Sequence, residues 1–197
     1  MVRVEQPYRV AGRRSPAPAA ALDQAWVVAV AAARERIGTH VPMIAGGRSS
    51  GARVAARTVQ ATGAAGLLAL AFPLRTPRGV SRQPELDAVD VPVLILQGDR
   101  DRFGMPSQAP RRRVHVLIGA DHAMRRHGSE LSTVALAFLA EVLGQQATLA
   151  GSRHSAAGSA EVDDVGRGQP DQIRGGEFDL QATPARADED CRVARGR

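Results

Sequence analysis

The chain predicts an α/β fold, with a mostly parallel sheet carrying helices on both faces and a disordered C-terminal tail. Three observations lead there. Over residues 1–145, short apolar runs alternate with Ala- and Arg-rich stretches of helical character. One such run passes through Gly47-Arg48-Ser49-Ser50-Gly51 directly into a helical stretch, a strand–turn–helix junction. Val91–Gln97 reads as a continuous apolar run, as expected of a strand buried on both faces of a parallel sheet.

The elements follow in order. Val2–Tyr8 reads as a strand, and Val10–Pro18 as a loop punctuated by Gly12, Pro16 and Pro18. Ala19–Arg36 is a helix. Asp23, Gln24 and the closing Arg34-Glu35-Arg36 make it amphipathic and exclude a membrane span. Pro42–Gly46 is a strand, Ser50–Thr62 a helix and Ala65–Phe72 a buried strand. Pro73–Pro84 is a Pro/Arg-rich loop placed to overhang a site at the sheet end, and Leu86–Val89 is at most a short helical turn. Pro92–Gln97 and Val114–Ile118 are strands. Leu131–Gln145 is the last helix, apolar at Val134, Leu136, Phe138, Leu139, Val142 and Leu143. Beyond it, residues 146–197 lack hydrophobic periodicity. They cannot bury enough apolar surface to offset ordering entropy, so a disordered tail without stable packing is expected after a folded domain of residues 1–145.

Gly47-x-Ser49-x-Gly51 between strand and helix is the pattern of a nucleophile elbow. Such a turn strains the serine backbone and lifts Oγ clear of the sheet. A Cβ at Gly47 or Gly51 is expected to collide with the neighbouring strand and helix. The plain alternative is a Gly-rich turn with Ser49 or Ser50 capping the helix. A hydroxyl is a poor nucleophile; it needs a histidine base, and the base needs a carboxylate to orient it. Both follow in chain order. Gly98-Asp99-Arg100-Asp101 closes one predicted strand and Gly119-Ala120-Asp121-His122 closes the next. Each lies at a strand's carboxyl end, where open α/β sheets place their sites. The candidates are therefore Ser49 as nucleophile, Asp101 as acid and His122 as base.

Other residues have plainer readings. Asp99 is the rival acid but sits where a turn is needed, and Asp121 is read as shaping the loop that presents His122. His40 is expected to be exposed and His115 to pack. His122 and His127 are spaced wrongly for two ligands on one helix face, and no Cys or carboxylate cluster completes a metal site, so neither metal nor cofactor is implied. Arg48 and Arg53 flank the elbow. Arg48 is read as making a surface salt bridge, with an anionic substrate group as the alternative partner.

Val4–Arg9, Gly46–Arg53, Leu70–Leu74, Leu96–Gly104 and Ala120–His122 together resemble a small α/β-hydrolase of the dienelactone-hydrolase-like kind. Within that group the similarity is to the KANL/TEX-like branch, which includes bacterial hydrolases and a subunit of a chromatin complex. The resemblance spans about residues 1–145. It implies the roles already assigned to Ser49, Asp101 and His122, and makes the Ser50 N–H an oxyanion donor. Arg102 stands where the family usually has Pro, and Arg75-Thr76-Pro77 where it often has His-Pro-Pro. The resemblance also sets Met1 inside the family's fourth strand. A misassigned start or a gene fragment is then expected, lacking the upstream His-Gly-x-Gly-like loop that supplies the second oxyanion N–H. Weak activity of residues 1–197 would follow.

Composition narrows the remaining classes. Hydrophobic residues make up 44% and aromatics only 3%, so the core must be built from Ala, Val, Leu and Ile. Every basic residue is Arg. Residues 1–145 hold 19 Arg against 11 acids, and residues 146–197 hold 7 against 9. The basic domain could attract anions, but Tyr8 and Trp26 offer no stacking platform, so solvated arginines are favoured over nucleic-acid binding. Cys191 is alone, which excludes an intrachain disulfide, and Met1–Tyr8 is too short and polar for a secretory signal. A cytoplasmic location is expected. The expected activity is serine-dependent cleavage of a small-molecule acyl substrate, without a membrane partner. A non-catalytic interaction module that binds a protein partner is the alternative.

Overall fold

The computed structural model describes residues 1–158. Among these, four strands form one parallel sheet in the order β1 (Ile44–Arg48), β2 (Gly66–Leu70), β3 (Val93–Gly98) and β4 (Arg112–Leu117). Ile44 is in register with Gly66, Leu67 with Val93 and Val93 with Arg112. All four carboxyl ends therefore point the same way, and their loops gather at one edge of the sheet.

Alternation along the strands sorts side chains between two layers. Ala45, Leu67, Ala69, Val93 and Ile95 face α3 (Ser50–Arg57) and α4 (Val59–Thr62), meeting Ala52, Ala55, Ala56 and Val59. The alanines let α3 lie close against the strands. Leu68, Leu70, Leu94 and Leu96 face the opposite way, onto Phe138 and Val142 of α6 (Gly128–Gly158). Leu67, Leu94, Ile95 and Leu96 are fully buried, worth about 1.5–3 kcal/mol each in transfer free energy. The parallel sheet with helices on both faces is thus the fold the sequence predicts.

The N-terminal segment differs from expectation. Val2–Tyr8 forms no strand; α1 (Pro7–Val10) begins within it. Pro7 has no N–H to give to a ladder, and its fixed φ suits the first position of a helix. The Arg9 and Val10 N–H groups accordingly bond back to the Gln6 carbonyl at 2.8 and 3.2 Å. Tyr8 is buried in a small cluster with Leu22 of α2 (Ala19–Ile37) and Val54 of α3. The strand β1 remains at the sheet edge.

Smaller differences have local causes. The helix expected over Ser50–Thr62 breaks at Thr58, whose Oγ1 donates to the Val54 carbonyl at 2.7 Å. A short helix, α5 (Gln83–Asp87), carries Pro in its first turn and buries Leu86. The last helix continues past Gln146, where the tail was expected to begin, as far as Gly158. Ala147, Leu149, Ala150, Ala156 and Ala157 supply helix propensity after the apolar stripe ends. The rest of the expected tail, 159–197, lies outside the described residues. No helix among the described residues is long and apolar enough to cross a membrane.

Candidate active site

Ser49 occupies the turn between β1 and α3 with φ 52° and ψ −115°. A non-glycine residue there stores strain of about 1–3 kcal/mol, so its surroundings must hold it in place. The Ser49 N–H donates to the Leu70 carbonyl at 2.9 Å, tying the turn to β2. Gly47 permits the bend: a Cβ there would lie 2.6 Å from the Gly51 oxygen and 2.8 Å from the Ala52 nitrogen. Gly51 corrects the expectation, because a Cβ on it would meet nothing within 4 Å. What the elbow needs at position 51 is a backbone that Gly47 can approach, not a missing side chain. Ser50 is the first residue of α3, so its N–H has no carbonyl one turn back within the helix to bond.

His122 bridges the two other candidates. Its Nε2 is 2.9 Å from Ser49 Oγ, and its Nδ1 is 2.8 Å from Asp101 Oδ2. A proton on Nδ1 satisfies the carboxylate and leaves Nε2 to accept the Ser49 hydroxyl hydrogen. The ring is partly exposed, whereas the Asp101 side chain is fully buried. Phe103 packs against the imidazole in a T-shaped pair, with centroids 4.7 Å apart. A buried carboxylate must be well bonded. Asp101 Oδ1 accepts the Phe103 N–H at 2.9 Å, and Oδ2 accepts both His122 and Gln97 Nε2, the latter at 2.9 Å.

Asp99 points elsewhere, its Oδ1 accepting the Gly119 N–H at 2.7 Å as a turn residue does. Asp121 accepts the N–H groups of Ala123 and Met124 at 2.8 and 3.2 Å, which shapes the loop carrying His122. His115 is half-exposed on β4 and pairs with Glu130 at 2.8 Å, so it does more than pack. His40 is exposed. Among the described residues no group of three His, Cys, Asp or Glu is arranged to hold a metal ion.

The family is settled at the level of sequence. A profile described as the alpha/beta hydrolase domain matches residues 1–145. The chain belongs to the α/β hydrolase domain family. Among solved structures, this α/β hydrolase domain is similar to a protein assigned to the α/β hydrolase superfamily from Xanthomonas campestris pv. campestris. That pair has 22% identity and a TM-score of 0.50, covering 62% of this chain and 69% of the other. It is also similar to an α/β serine hydrolase without a lid from Xanthomonas campestris, at 19% identity and a TM-score of 0.50. Here the match covers 68% of this chain and 60% of the other. At such identities the likeness establishes the fold. No curated protein matches the sequence.

Two residues of this α/β hydrolase domain act at the site in ways that the sequence does not announce. Gln97 closes the apolar run of β3. It is fully buried, and its Nε2 also faces the carbonyls of Gly104 and Phe72 at 2.9 and 3.3 Å. The available signal was one polar side chain closing a buried strand two residues before Asp99. Arg48 makes no salt bridge among the described residues. Its Nη2 donates to the backbone carbonyls of His122 and Ala123 at 3.0 and 2.8 Å, clamping the histidine loop to the elbow. Arg53 turns away to grip Glu85 with two nitrogens. Arg57 binds Asp23 and Glu85 beside it, and the Asp23 hydrogen bond holds its guanidinium above the ordinary pKa. This ionic cluster joins α2, α3 and α5 behind the elbow. In front of it, a cleft of about 350 Å³ opens beside His122, lined by Arg48, Arg100, Arg102, Asp121, His122 and Ala123.

Proposed function

We propose that this protein is a serine hydrolase that cleaves an ester or thioester through Ser49, His122 and Asp101. The single observation behind the proposal is the unbroken hydrogen-bonded line from Ser49 Oγ through both His122 nitrogens to the buried Asp101 carboxylate. In the first half-reaction Ser49 Oγ bonds to the carbonyl carbon while His122 Nε2 takes the hydroxyl proton. The Asp101 carboxylate stabilises the imidazolium, and the Ser50 N–H faces the developing oxyanion. Collapse breaks the bond to the leaving oxygen or sulfur, which receives the proton from Nε2. Water, deprotonated by His122, then attacks the acyl-enzyme; the acid departs and Ser49 regains its proton. Placement in the dienelactone-hydrolase-like, KANL/TEX-like branch belongs to the same proposal and rests on the motif segments.

An active-site serine probe tests it. A fluorophosphonate should label Ser49, as located by peptide mass spectrometry, and Ser49→Ala should remain unlabelled. Asp101→Asn should keep the fold but lower turnover of a short acyl ester by roughly 10⁴-fold, through the wrong histidine tautomer. A folded protein that neither labels nor turns over acyl esters would favour the interaction-module reading instead.

A further inference from the structure

The cleft beside His122 is lined mainly by residues with charged or ionisable ends. Three of its six residues are arginines, one is Asp121, and Ala123 is the only apolar one. Asp121 gives one oxygen to two backbone N–H groups, and three arginines against this one carboxylate leave the cleft with an excess of positive charge. The guanidinium of Arg102 lies 4.8 Å over the Phe103 ring, which in turn makes a T-shaped pair with His122. That stacking holds one cation near the imidazole. The Arg100 side chain makes no hydrogen bond or ion pair among the described residues. Arg48 uses one terminal nitrogen on the histidine loop.

The side of the site on which this charge lies matters. His122 Nε2 must hand its proton to the leaving atom, so the leaving group departs past the imidazole. The cleft walls are His122, Ala123 and the arginines of the β3–β4 loop, whereas the oxyanion is expected at the start of α3. We infer that the leaving group of the substrate carries an anionic oxygen group, a carboxylate or a phosphate, held by Arg100 and Arg102. Planar guanidinium groups match either anion in two-point geometry. This inference rests on the serine-hydrolase proposal.

Kinetics with matched esters test it. The anionic ester 4-acetoxyphenylacetate and its primary amide release phenols that differ only in that remote group. The expected kcat/KM ratio, anion over amide, is about tenfold at low salt and shrinks as ionic strength rises, because these arginines are exposed. Arg100→Gln and Arg102→Gln should each lower the ratio about threefold, mainly through KM, while Arg36→Gln on the far helix α2 leaves it unchanged. A 4-acetoxybenzylphosphonate arm distinguishes the sources: whichever anion has the higher kcat/KM identifies carboxylate or phosphate. Calorimetric binding of the product 4-hydroxyphenylacetate reads the anion site without turnover. Equal kcat/KM for anionic and neutral esters, with no product binding, would overturn the inference and leave the hydrolase standing. Product binding that Arg100→Gln weakens, in a chain that turns over no ester, would uphold the anion site and overturn the hydrolase. A protein showing neither would lose both.

Discussion

Gln97 and His122 converge on one oxygen of Asp101: the amide nitrogen reaches Oδ2 at 2.9 Å and the imidazole Nδ1 reaches it at 2.8 Å. Gln97 stands on β3 and cannot move without disturbing the sheet, so it fixes where the carboxylate sits. The Phe103 N–H holds the other oxygen. Asp101 is thereby oriented by the strand and by its own turn, and His122 is oriented by Asp101.

Gln97→Leu should leave the domain folded, since the new side chain is apolar and of similar size in a buried place. Turnover of an acyl ester should fall about 10- to 100-fold, because a small displacement of the reacting groups has that effect. The drop should appear in kcat, and the rate of fluorophosphonate labelling should fall with it. Unchanged kcat would mean that Asp101 is held well enough without the amide.

The two elbow glycines should behave differently. In Gly47→Ala the Cβ meets backbone atoms of Gly51 and Ala52, so overpacking should cost about 1–3 kcal/mol and displace Ser49. Gly51→Ala meets open space within α3 and should gain up to about 1 kcal/mol from helix propensity. Thermal unfolding of the two variants checks the contrast. Equal destabilisation would show that position 51 needs glycine for another reason.

Arg48→Ala removes both hydrogen bonds to the carbonyls of His122 and Ala123. The histidine loop should loosen and kcat should fall about tenfold, with a small loss of stability because the contact is exposed. Hydrogen exchange at Ala123 and Met124 should quicken in parallel. A variant with full kcat would remove the clamp from the account of the site.

Asp87 gives a pH-dependent signature away from the site. The Gln83 amide and the Arg112 guanidinium hold its carboxyl below the ordinary value of 3.8. A folded-state pKa below the unfolded one adds stability that is present above the unfolded pKa and lost as pH falls through the folded pKa. Asp87→Asn should therefore destabilise the protein at neutral pH by about 0.5 kcal/mol, a modest amount for a half-exposed group. The gap from the unmodified protein should close as the pH drops below about 4. Denaturant melts at several pH values measure it, and a gap that widens in acid would contradict the sign.

Much of the domain was legible because the relevant signals are local. Alternating apolar runs located β1 to β4 to within two residues at most ends, and the glycine at position 47 announced the turn that bends Ser49. The order of serine, acid and histidine is a property of the chain itself. The N-terminal segment misled because alternation in Val2–Tyr8 specifies a strand only where a partner strand accepts its ladder. Pro7 and the burial of Tyr8 against Leu22 and Val54 favoured a helical turn there.

The sequence by itself determined the layered α/β architecture, the elbow and three candidate residues, because periodicity, turn chemistry and chain order act over a few residues at a time. Only the tertiary structure decided that Asp101, not Asp99, faces His122, and that Gln97 and Arg48 hold the acid and the histidine in place. It alone gathered Arg48, Arg100 and Arg102 around one cleft. Arg48 and the carbonyls it binds are 74 and 75 residues apart, and no local pattern encodes that separation. Parallel strands in register bring their carboxyl ends to one edge, and contacts between the loops that meet there depend on distances set by the whole sheet.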